Sequence, residues 1–97
     1  MGDRRYGTRS YDFTAGQKVS YTGTDNDTTA FDVDTEVVIC TTTDCLIKVA
    51  VAPTASAAAT SMLIPAKIPF HLQVPAGQKI SFVQLSAGGD AYVVPTT

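Results

Sequence analysis

Apolar and polar residues alternate with a period of two through most of the chain, and Gly, Pro, Asn and Asp interrupt the alternation at short intervals. That pattern predicts short β-strands joined by tight turns. One stretch occurs twice: residues 15–21 read Ala-Gly-Gln-Lys-Val-Ser-Tyr and residues 76–82 read Ala-Gly-Gln-Lys-Ile-Ser-Phe. Alternating pairs enter each copy (Tyr11 and Phe13; Leu72 and Val74) and leave it (Val19 and Tyr21; Ile80 and Phe82), so each copy predicts a hairpin. In both, the Gly suits a turn position of positive φ, where a Cβ would be penalised. A duplicated β-unit and two independent solutions to one turn problem both explain the repeat.

The strongest β-rich pair is residues 37–51, where Val37-Val38-Ile39-Cys40 and residues 45–51 flank Thr41-Thr42-Thr43-Asp44, read as a four-residue hairpin loop. A regular hairpin here sets Cys40 opposite Cys45, with Val38, Ile47, Val49 and Val51 on their face and Val37, Ile39, Leu46 and Ala50 on the other. Apolar residues on both faces predict cover on both sides. One cover is the chain's own second sheet; the other is a neighbouring subunit, with Val37, Ile39, Leu46 and Ala50 as the candidate oligomer interface.

Before the first strand, residues 1–10 carry Asp3, Arg4, Arg5 and Arg9 without periodicity and read as an extended arm. Residues 22–29 have the Gly and Asx content of a loop, and Phe31 and Val33 alternate with Asp32 and Asp34 in a short strand-like piece. Residues 52–61 are small and read as a loop that admits a helical turn. Residues 62–64, 68–74, 79–85 and 91–94 are strand-like, bounded by Pro65, Pro69, Pro75 and the turn at Gly88-Gly89. The expectation is a single all-β domain over residues 11–97, a small β-sandwich or jelly-roll-like barrel of eight or nine short antiparallel strands, with an extended N-terminal arm.

Composition narrows the function classes. Ninety-seven residues make one domain with a thin core, burying roughly 60–70 % of the extended-chain surface. With 44 % hydrophobic and 16 % charged residues the chain is globular, and its mean hydropathy of +0.10 hints at buried intersubunit surface. A net charge of −2 argues against nucleic acid as the main partner, since phosphate neutralisation needs a Lys/Arg stripe. No apolar run approaches the ~18 residues of a membrane span, and the first residues lack the apolar core of a secretory signal, which predicts cytosolic synthesis. Met1-Gly2 does not start a myristoylation motif, because Tyr6 stands where Ser or Thr is needed.

Candidate chemistry is sparse. Asp25, Asp27, Asp32, Asp34 and Glu36 supply carboxylates without the register of an EF-hand and read as a solvated face. Cys40 and Cys45 form a cross-strand disulfide only if they face each other and the compartment oxidises them. His71, the one histidine, sits between Phe70 and Leu72 with no nucleophile motif nearby and reads as a structural strand residue. Gly88-Gly89 lacks the Lys and helix of a phosphate loop. No catalytic set, metal or cofactor is expected. Arg4, Arg5, Tyr6 and Arg9 are the candidate contacts to a partner, because Arg pairs bidentately with carboxylates.

The segments 44–50, 52–55, 61–66 and 74–82 (Asp-Cys-Leu-Ile-Lys-Val-Ala, Ala-Pro-Thr-Ala, Ser-Met-Leu-Ile-Pro-Ala and Val-Pro-Ala-Gly-Gln-Lys-Ile-Ser-Phe) resemble small tailed-bacteriophage proteins that decorate or cement the capsid. The likeness covers about the last sixty residues. It implies a compact β-sandwich or jelly roll that sits on the virion as a homotrimer, or a dimer, and clamps neighbouring major capsid proteins. A head-to-tail or tail component, a carbohydrate-binding β-sandwich and an enzyme are the alternatives, in that order.

Overall fold

The computed structural model describes residues 10–53, 55 and 61–96. Among them, after a short 3-10 turn at Phe13–Ala15, run eight strands: β1 (Gln17–Tyr21), β2 (Asn26–Asp27), β3 (Thr35–Thr41), β4 (Cys45–Ala50), β5 (Met62–Ile64), β6 (Phe70–Val74), β7 (Lys79–Gln84) and β8 (Gly89–Pro95). They form two four-stranded antiparallel sheets, ordered β1-β8-β3-β6 and β2-β7-β4-β5. The all-β sandwich expected from the alternation is the fold.

The pairing is that of one long hairpin rolled up. β4 pairs with β5, β3 with β6, β2 with β7 and β1 with β8, and rolling adds β3 to β8 and β4 to β7. This nesting is the connectivity of a jelly roll. Every consecutive pair of strands except β4 and β5 crosses from one sheet to the other.

That crossing corrects the three expected hairpins. Tyr11 forms an isolated bridge to Thr96 and β1 pairs with β8, so residues 11–21 do not fold on themselves. Likewise β6 and β7 lie in different sheets, as do β3 and β4. The reason is geometric: a connection of three or four polar residues also spans the ~10 Å between packed sheets, and alternation gives each strand one buried face whichever partner it takes. The repeated Ala-Gly differs too. Gly77 has φ 81, the left-handed value its turn requires, whereas Gly16 is extended at φ −64. Residues 31–34 form no strand; Phe31 is buried and hydrogen-bonded to the second-copy turn (Phe31 N–H to Gln78 O, Gly77 N–H to Phe31 O), while Val33 is exposed. The two-residue β2, inside the expected loop, has no apolar alternation to betray it.

The core lies between the sheets. Val19, Tyr21, Val37, Ile39, Val74, Ala91 and Val93 from one sheet meet Cys45, Ile47, Ile64, Ile80 and Phe82 from the other. Tyr21 and Phe82, the last residues of the two repeat copies, stack with ring centroids 6.3 Å apart. Aromatic stacking of this kind adds to the burial of two large rings. Phe82→Ala should therefore cost roughly 3–5 kcal/mol, whereas Leu85→Ala, on an exposed side chain, should stay within about 0.5 kcal/mol; urea denaturation of both variants checks the contrast.

Candidate functional site

The expected partner contacts Arg4, Arg5, Tyr6 and Arg9 lie outside the described residues. The four expected interface residues are placed differently from the sequence reading. Val37 and Ile39 have no exposed surface and belong to the chain's own core. Leu46 points to the outer face of its sheet, but there Ala55 packs on it and on Val83. Ala50 is half-buried beside Lys79. The error comes from the assumed hairpin, which put Val37 and Leu46 on one face; across an inter-sheet corner they point in opposite senses.

At Leu46 the chain's own Ala55 supplies part of the second cover expected over the 45–50 strand. Ala55 N–H donates to Ser81 Oγ (3.1 Å), whose hydroxyl donates to an Asp25 carboxylate oxygen (3.0 Å), fixing Ala55 over the sheet. Ser81 is fully buried as a result.

The β1-β8-β3-β6 sheet is covered differently. Its outer side carries Lys18, Tyr92 and Cys40 in one cross-strand row and Val94, Val38 and His71 in the next. Tyr92 keeps 46 % of its surface exposed, and Val38, Cys40 and Val94 are half-buried. Lys18 Nζ stands 6.0 Å from the Tyr92 ring centroid, within cation–π range. Below, Glu36 lies 3.9 Å from His71 Nδ1. The 3-10 turn Phe13–Ala15 contacts β8, and Gly16 lies beside Val94 at one margin of the strip. A signal for it was present: Tyr92-Val93-Val94 breaks strict alternation, so β8 carries apolar side chains on both faces.

The expected acidic group is dispersed. Asp25 accepts from Ser81, Asp34 accepts from Ala76 N–H (2.8 Å) at the opposite end of the sandwich, and Glu36 is on the outer sheet face. Among the described residues no group of three or more His, Cys, Asp or Glu side chains is placed to hold a metal.

One end of the sandwich is cross-braced through residues 41–44. Thr42 N–H donates to Asp90 O (3.0 Å) and Asp90 N–H to Thr42 Oγ1 (2.9 Å). Tyr21 OH reaches Thr43 O (2.9 Å), and Thr43 Oγ1 donates to Ala87 O (3.1 Å). Ala66 N–H donates to Asp44 Oδ1 (2.7 Å), and Lys67, held at φ 63, donates to Thr41 O (2.7 Å). The Thr-Thr-Thr-Asp sequence is thus a corner whose polar groups tie down two other loops and the Tyr21 side chain at the end of β1. Gly89 is required beside it, since a Cβ there would come 2.5 Å from Thr42 Oγ1 and 2.6 Å from Thr43 Oγ1. Gly89→Ala should cost roughly 1–3 kcal/mol by overpacking and speed hydrogen exchange at the Thr42 and Asp90 amides.

The cysteines are free thiols on different sheets, Cys40 on an outer face and Cys45 in the core, so they do not face each other as the hairpin reading required. Burial pushes the Cys45 thiol up to about 11, against the smaller opposing pull of the Tyr21 and Thr41 hydroxyls, with Asp44 adding to the rise. The folded state thus holds the neutral thiol while the unfolded chain ionises near 9.0. This contribution to stability is complete below about pH 9 and lost as pH rises toward 11. Cys45→Ala should flatten that part of the stability–pH curve, and at pH 8 a thiol reagent should modify Cys40 well before Cys45.

Fold and surfaces together define a small jelly-roll sandwich with apolar side chains on the outer faces of both sheets, Leu63 on one and Tyr92 on the other. Comparison of the chain with protein families, with curated proteins and with solved structures finds no match.

Proposed function

We propose that this chain is a non-enzymatic structural subunit of a tailed-phage virion that decorates and cements the capsid, bridging neighbouring major capsid proteins. The observation that carries the reading is the apolar surface on the outer faces of the sandwich. On one sheet Ala55 packs on Leu46 and Val83 while Leu63 beside them stays half-exposed, and the other sheet turns Val38, Cys40, Tyr92 and Val94 outward. Exposed apolar surface of this kind marks an interaction face. The braced corner at residues 41–44 suits a structural subunit, because its loops are fixed before any partner arrives. Cementing needs only complementary surface repeated over many copies, so that modest contacts sum across the shell. The resemblance over residues 44–82 points the same way, and the basic arm supplies Arg4, Arg5 and Arg9 for carboxylates on the capsid.

A carbohydrate-binding reading is favoured by one feature, the half-exposed Tyr92 ring, but Lys18 already approaches that ring. Deleting residues 1–9 should leave the far-ultraviolet circular dichroism unchanged and reduce the number of copies retained on purified virions at least several-fold. Unchanged occupancy removes the arm from the attachment. A few copies per virion, rather than a number matching the capsid lattice, would assign the chain to the head-to-tail region or tail.

A further inference from the structure

We infer that residues 1–9 lie across the outer face of the β1-β8-β3-β6 sheet of their own chain, over Val94, Val38 and His71. The inference concerns the free chain, goes beyond the capsid reading and does not depend on it.

Entry point, length and charge select this occupant. Tyr11 bridges Thr96, two residues past Val94 on the same side of β8, so the chain that precedes Tyr11 arrives at the margin of the apolar strip. The sheet is four strands wide, about 14 Å at ~4.8 Å per strand, and nine extended residues span up to ~30 Å. Tyr6, five residues before Tyr11, therefore reaches the Val94–Val38 pair, and Arg4 and Arg5 reach the far margin beyond β6. Residues 1–9 hold three arginines and one aspartate, whereas residues 10–97 hold four lysines against eight carboxylates. Those carboxylates flank the crossing. Asp12 stands at the entry, its N–H on Pro95 O (2.8 Å), and Asp34 stands on the far side, accepting from Ala76 N–H (2.8 Å) just past β6, with exposed Asp32 close by in the chain. Each backbone contact leaves a carboxylate with further lone pairs for a guanidinium. Glu36 already faces His71 and is not called on.

Tethering favours this segment over any free partner. A short flexible link holds a segment at an effective concentration in the millimolar range, so contacts that are individually weak suffice. The arm and any partner that binds the strip then compete for it, and a partner gripped by the arm must first draw it off the sheet.

In a Cys40→Ser background, the full chain carrying Tyr6→Cys and Val38→Cys should close an intrachain disulfide under mild oxidation at least tenfold faster than one carrying Tyr6→Cys and Leu63→Cys. Leu63 is on the outer face of the other sheet and is the more exposed position, so accessibility alone favours the control pair. Changing Arg4, Arg5 and Arg9 together to Glu, or raising the salt to about 1 M, should slow closure of the first pair at least fivefold. As a second readout that needs no disulfide, deleting residues 1–9 should raise the maleimide reactivity of Val38→Cys several-fold in the same background, with the far-ultraviolet circular dichroism unchanged. Equal closure rates for the two pairs, or a reactivity indifferent to the deletion, overturn the inference. Disulfides that join two chains and increase with concentration also overturn it, since they place the arm on a second copy.

Discussion

The stacking of one sheet on the other is the contact on which everything else depends. Seven of the eight strands have as their next strand in sequence one that lies across the core or, at β4 and β5, beyond a connection of eleven residues. No tight hairpin exists among the described residues to hold a sheet together locally. Each ladder forms only when distant segments meet, and the apolar faces of Val37, Ile39, Val93, Ile80 and Phe82 bring them together. Such a topology carries its loop-closure cost before its reward, which predicts slow, cooperative folding.

Most strand positions were legible because each needs an apolar face: a period of two is written directly into residues 17–21, 70–74 and 79–82, and a continuous apolar run marks residues 37–40. The partners were not. Thr41-Thr42-Thr43-Asp44 has the composition of a hairpin loop, yet its hydroxyls and carboxylate serve loops that arrive from residues 65–69 and 85–90. The repeat shows the same limit. Two nearly identical sentences occupy opposite sheets and use different backbone at their glycines, and what they share is their final aromatics, which meet in the core.

The candidate surface was misplaced for a related reason. A strand apolar on both faces announces two covers without saying which. For β4 the second cover is Ala55, a small residue in a stretch whose lack of large side chains made it look like a mere connection. On β3 and β8, Val38, Cys40, Tyr92 and Val94 keep the outward position that the hairpin reading had assigned to Val37 and Ile39.

The edges of the sandwich give the open face its meaning. A β-protein can associate by adding strands at an edge or by packing faces. Here β2 is two residues long and β5 three, and β5 is followed by Pro65. The edge strand β6 is bounded by Pro69 and Pro75, and β1 places Lys18 on its edge. Short strands, prolines and lysines are the devices that discourage edge pairing. Guarded edges disfavour association by strand addition and leave the outer faces, with Leu63 on one and Tyr92 on the other, as the apolar surfaces of the sandwich.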